Sequence, residues 1–127
     1  MKNGARGREG KGASALALVL VLVSGASAQP IKGLTAAPQL VRAYNAIFDA
    51  RFEDVPGLLA QTCPPVPVAA CDVIDALSIW WQIQIDPLST SRDALFQSRV
   101  EAAINAAEAW TTREPERAEA WFYLGGA

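Results

Sequence analysis

Apolar residues recur at helical spacing along most of this chain and divide it into five segments. Pro38 suits the first turn of a helix, where its missing N–H costs nothing. Leu40, Val41, Tyr44, Ile47 and Phe48 then follow at three- and four-residue intervals, which predicts a first helix ending near Arg51. Asp54 can cap a second, with Pro56 tolerated in its first turn and Phe52, Val55, Leu58 and Leu59 on its apolar side. Gly57 weakens that helix, and Cys63-Pro64-Pro65 stops it. The two helices read as an αα-hairpin.

The third helix is expected from about Val68 to Ile85. Val73, Ala76, Leu77, Trp80 and Ile83 form one stripe, and Ile74, Trp81 and Ile85 a second beside it. Asp72, Asp75 and Gln82 leave only a narrow polar edge, so this helix should be buried from several sides. A turn over residues 86–91 follows, and Thr90 with Asp93 resembles a capping box. Phe96, Val100, Ala103, Ala107 and Trp110 then repeat strictly enough to define a long fourth helix. Pro115 interrupts it, and a fifth helix is expected from near Glu116, presenting Ala120, Trp121 and Leu124. No hairpin-turn dipeptide or alternating pattern competes, so the fold class is all-α.

Residues 1–28 have a different pattern. A basic, Gly-rich stretch leads into the apolar run Ala15 to Val23, and Ala26-Ser27-Ala28 follows. This is the three-part layout of a secretory signal peptide, cleaved after Ala28. The run is too short for a spanning helix, which needs about 20 apolar residues. Residues 29–37 read as a linker and 38–127 as the helical domain. The expected compartment is outside the cytosol, periplasmic or secreted, with no stable membrane insertion after cleavage.

Composition removes several functions. From Gln29 onward there are seven basic and twelve acidic residues, a net charge of −5, which repels phosphate backbones and argues against nucleic-acid binding. The chain has no histidine, the commonest general base and metal ligand. Lys32 is the only lysine after residue 28, so a Ser–Lys mechanism has nothing to build on. No metal-ligand spacing or phosphate loop occurs, and no cofactor is expected. Asp72 and Asp75 lie a helical turn apart, but a solvated edge near a helix N-terminus explains them better than acid–base catalysis. Four tryptophans, Trp80, Trp81, Trp110 and Trp121, stand at helical spacing, which favours core packing over sugar stacking. Cys63 and Cys71, the only cysteines, are expected to form a structural disulfide in an exported chain. Their spacing suits neither a redox pair nor haem attachment.

The stretch Glu114 to Ala127 resembles the tetratricopeptide repeat, a helix–turn–helix unit of about 34 residues. In that family a proline closes one repeat, and the next opens with Ala and Trp, then Leu-Gly. Pro115 matches the closing proline, and Ala118, Trp121, Leu124 and Gly125 match the opening. Ala103 falls at a small position of the preceding helix. Ala107 and Trp110 depart from the pattern, which wants a larger and a small residue there. Upstream, Phe52-Glu53-Asp54-Val55 resembles the turn within a repeat and Pro67 a second closing proline. Pro67 and Pro115 are 48 residues apart, so the third and fourth helices exceed the standard length.

The resemblance implies stacked antiparallel helix pairs in a right-handed superhelix, incomplete at the C-terminus. It also implies a concave groove toward which Glu119 and Phe122 could face, and a protein or peptide partner rather than catalysis. Two other functions stay open: a self-contained exported helical domain acting as an inhibitor or ligand binder, and the helical N-terminal part of a larger enzyme.

Overall fold

A computed structural model of the chain describes residues 33–127. The expected signal peptide, and the linker up to residue 32, lie outside the described residues. Those described form five α-helices and no strand: α1 (Ala37–Phe48), α2 (Val55–Thr62), α3 (Val68–Ile85), α4 (Asp93–Arg113) and α5 (Ala118–Gly126). A single 3-10 turn over Phe52–Asp54 leads into α2. No helix among the described residues is long and apolar enough to cross a membrane.

α3 is the hub, packing against each of the other four helices. α1 and α3 are bridged by α2, and α3 and α5 by α4, so each odd-numbered helix rests on the next odd one as well as on its neighbour in sequence. This connectivity buries every helix on two sides with short connections. It is consistent with a helical bundle or a stacked helical repeat. A single hydrophobic cluster runs through all five helices, from Leu40 and Ile47 through Val55, Ala70 and Ile74 to Ala107, Trp110 and Tyr123.

The helix ends follow local chemistry. α1 stops three residues sooner than expected, in a Schellman arrangement. The Arg51 N–H donates to the Ala46 carbonyl at 2.8 Å and the Ala50 N–H to that of Ile47 at 3.0 Å. Ala50 adopts the left-handed conformation, φ 56°, that glycine usually supplies here. Asp54 does not cap α2 with its side chain; its carboxylate instead receives Arg51 Nη1 at 2.7 Å. Thr90 and Asp93 likewise make no capping box, and only the backbone bond from the Asp93 N–H to the Thr90 carbonyl, 3.2 Å, forms there. α3 begins and ends at the expected residues, because Pro67 sits just before its first turn and Asp86-Pro87 just after its last.

The buried faces of α2 and α4 are those the apolar stripes suggest, with Val55 and Leu59 on one and Ala103, Ala107 and Trp110 on the other, while those of α1, α3 and α5 are shifted in part. On α1 the core takes Leu40, Ala43, Ala46 and Ile47, while Val41 and Phe48 are exposed. Close helix packing selects the alanines and turns the larger side chains to the flank. On α3 the interior takes Ala69, Ala70, Val73, Ile74, Ala76 and Ile79, whereas Trp80 and Ile85, expected inside, are exposed. α3 is thus sheathed in its first three turns and open at its C-terminal end. On α5 the inward residues are Glu119, Ala120 and Tyr123. Trp121, expected to pack inward, is 53% exposed, and its indole N–H donates to the Pro115 carbonyl at 2.7 Å.

Candidate functional site

The exposed ends of α1 and α3 bring aromatic residues together on one surface. Tyr44 and Phe48 stand one turn apart on α1, with ring centroids 6.4 Å apart. Phe48 meets Trp81 of α3 edge-on at 6.0 Å, and Trp81 meets Trp80 edge-on at 5.0 Å. Phe48 is 67% exposed and Trp80 38%. Tyr44 and Trp81 are half-buried and support them from beneath. Burial pushes the Tyr44 phenol above its usual range, so it stays neutral and can donate a hydrogen bond. Beyond Trp80 the surface falls into an apolar cleft of about 280 Å³ between α3 and α4, lined by Leu77, Trp80, Phe96 and Val100, with Gly126 of α5 also in its lining.

Of the four tryptophans only Trp110 is fully buried. Helical spacing alone cannot separate a core stripe from a flanking one, because both have the same period. The distinguishing signal is the run of small residues beside the seam. Ala69, Ala70 and Ala76 on α3, like Ala43 and Ala46 on α1, mark where helices approach closely. The bulky residues then fall to either side.

The residues expected to matter occupy distinct places. Cys63 and Cys71 are joined in a disulfide, with Cα atoms 6.5 Å apart, linking the end of α2 to the first turn of α3. Pro67 precedes α3, and Pro115 lies in the turn between α4 and α5. Ala118 opens α5 and is exposed. Leu124 is half-buried and packs against the core, whereas Trp121 and Gly125 are exposed. A Cβ built on Gly125 would touch nothing within 4 Å, so no close approach among the described residues requires a glycine there. Phe122 is exposed and meets the Tyr123 ring edge-on at 5.1 Å.

Glu119 is a correction. It was expected to face a groove, but only 5% of it is exposed. Its carboxylate accepts hydrogen bonds from the Thr35 N–H at 2.7 Å, the Thr35 hydroxyl at 2.9 Å and Arg117 Nε at 3.0 Å, and from Arg117 Nη2. The approach to α1 therefore covers the place where a ligand would have met it. Burial alone would raise the Glu119 carboxyl, but the hydrogen bonds from Arg117 and Thr35 outweigh it and hold the group below its usual range.

A second polar group lies beside the disulfide. Asp75 pairs with Arg99 at 3.4 Å. Asp72, one turn earlier, is pushed above the usual carboxylate range by burial and by the charge of Asp75, with Arg99 opposing. Neither carboxylate faces a nucleophile or a histidine. Among the described residues no group of three or more His, Cys, Asp or Glu side chains could hold a metal ion.

Compared with known proteins, the chain matches no family model, no curated protein and no solved structure. The geometry itself defines the class: an all-α domain of five packed helices, without a metal-binding or catalytic constellation among its described residues, and with an exposed aromatic surface.

Proposed function

We propose that this domain is a non-catalytic helical scaffold, exported from the cytosol, that binds another protein or a peptide through the surface formed by Tyr44, Phe48, Trp81 and Trp80. The observation that carries this reading is the continuity of those four rings at exposed helix ends. Aromatic residues contribute most of the binding energy in many interfaces, and contiguous exposed apolar area on a small domain marks such sites. The neighbouring cleft between α3 and α4 extends the surface with aliphatic lining suited to an anchoring side chain. The helix connectivity and the match of Pro115, Ala118, Trp121, Leu124 and Gly125 support a tetratricopeptide-like repeat as the evolutionary source of the scaffold.

A displayed peptide library tests the surface. Peptides enriched on the wild-type domain should lose affinity by about tenfold or more on the Phe48→Ala/Trp80→Ala double variant. Its melting temperature is read alongside: Phe48 is 67% exposed and should cost little, whereas Trp80 is only 38% exposed and its loss should lower the midpoint by a few degrees without unfolding the domain. Binders indifferent to the double variant would move the site elsewhere, and an unenriched library would remove the peptide-binding reading.

The address rests on residues 1–28, and mass measurement of the exported chain checks it. A mature N-terminus at Gln29 is expected; an intact Met1 in the exported fraction would overturn cleavage.

A second reading has its own observation. The Thr35–Glu119 contact joins elements 84 residues apart and closes the helices on themselves. Such a long-range tie favours a self-contained domain that acts as an inhibitor or ligand binder.

A further inference from the structure

α5 is one of two helices too short to stand alone, and unlike α2 it is not tied to a neighbour by a disulfide. Its nine residues fall short of the ~12–15 that an isolated helix needs in water. Trp121 and Phe122 are exposed, so α5 docks chiefly through Ala120, Tyr123 and Glu119, with Leu124 and Ala127 half-buried against the core. Tyr123 stacks on Trp110 of α4, ring centroids 6.0 Å apart. Glu119 buries a carboxylate in the first turn, and two of its donors, the Thr35 N–H and hydroxyl, come from the short approach to α1.

Arg117 completes the arrangement. Its Nη2 also donates to the Thr35 hydroxyl at 2.8 Å, its Nη1 reaches Glu114 at 3.4 Å, and its guanidinium lies 5.5 Å from the centre of the Trp110 ring. Hydrogen bonds to a buried charge are among the strongest a fold makes, and losing them leaves the charge uncompensated. Docking of α5 and the position of Thr35 are therefore coupled.

We propose that Thr35, Arg117 and Glu119 form a releasable clasp, in which the approach to α1 straps α5 onto α4 and its withdrawal undocks α5 and uncovers Trp110 and Tyr123. The unit that opens is local. α5 rests on α4 and α3, while α1 to α4 keep their mutual packing and the disulfide when it leaves.

The groups facing Glu119 set its response to pH. Arg117 faces it directly with Glu114 on the far side of the guanidinium, and Tyr123 on α5 feels its charge, with Tyr44 of α1 next to Tyr123. Burial pushes Tyr123 up to about 12, helped by the charges of Glu119 and Tyr44, so the phenol stays neutral as pH falls. Arg117 is held further above its usual range, chiefly by its hydrogen bond to Glu119. Because Glu119 is depressed, its contribution is complete above the ordinary carboxylate range and is lost as pH drops through the depressed value. The clasp is thus closed at neutral pH and opens only on strong acidification.

Hydrogen exchange on the full chain tests this, with Thr35→Val and Glu119→Gln beside the wild type. Thr35→Val removes the hydroxyl but keeps the size and the backbone donor, so it decides the matter if Glu119→Gln fails to fold. The α5 amides and the last turn of α4 should lose protection by about tenfold or more in Thr35→Val, with α1 to α3 unchanged. As the wild type is acidified stepwise below the ordinary carboxylate range, the same segments should lose protection first. Unchanged protection in α5, or an equal loss across all helices, would overturn the proposal and leave an ordinary structural ion pair.

Discussion

Replacing Trp110 with alanine should lower the stability of the domain by about 3–5 kcal/mol. The side chain is the largest of those wholly buried, with 0% exposure. It stacks on Tyr123, lies beneath the Arg117 guanidinium, and donates its indole N–H to Glu114 at 3.1 Å. Its surroundings cannot collapse into the space, because Ala103, Ala107 and Ala120, also buried in this core, are too short to reach across. Small domains are stable by only about 5–15 kcal/mol, so this one truncation removes a large part of the total. The shift in urea midpoint measures it. Trp110→Phe is the control: it keeps an aromatic stack but loses the bond to Glu114, and should cost less. A loss under about 1 kcal/mol for Trp110→Ala would mean that α5 is not docked on α4 as described.

The position of Trp110 also bears on the repeat resemblance. The repeat pattern wants a larger residue where Ala107 stands and a small one where Trp110 stands. Both positions are buried in the same core as Tyr123. In this chain the large side chain is the one stacked on Tyr123, and the alanine lies one turn before it.

Helix existence was legible in the sequence, and so were the buried faces of α2 and α4; the misplaced residues are Val41 and Phe48 on α1, Trp80 and Ile85 on α3 and Trp121 on α5. Pro67 and Asp86-Pro87 bracket α3 with residues that cannot continue a helix, and the observed ends agree. The failures share a physical cause. A stripe of Val41, Tyr44 and Phe48 has the same period as the true seam of Leu40, Ala43 and Ile47, and only tertiary packing chooses between them. The choice went to the alanines because they let helices approach, which left Phe48 and Trp80 outside. That same displacement created the aromatic surface, so the candidate site arose where the core assignment failed. Glu119 was illegible for a different reason. Its partner Thr35 is 84 residues away, and no local spacing announces a hydrogen bond of that range.

Removing the disulfide, by Cys63→Ala with Cys71→Ala, should cost about 2.5 kcal/mol on the loop-entropy account. The bond closes a loop between residues eight apart in sequence, one that buries Val66 and delivers the chain from α2 to α3. Without the crosslink the unfolded chain regains the freedom of that loop, while folding must still place Val66 between the two helices. The alanine pair avoids leaving a polar group in the buried Cys71 position, so the measured loss reflects the crosslink rather than desolvation. A reductant separates the contributions further. It should lower the urea midpoint of the wild type toward that of the double variant and leave the double variant unmoved. A wild-type midpoint indifferent to complete reduction would show that the proline-rich connector already holds α2 and α3 together unaided. The bond also links stability to compartment, since a disulfide of this kind persists only where the surroundings are oxidising. If the domain works outside the cytosol, as its first 28 residues suggest, the extra stability is available there and withheld before export.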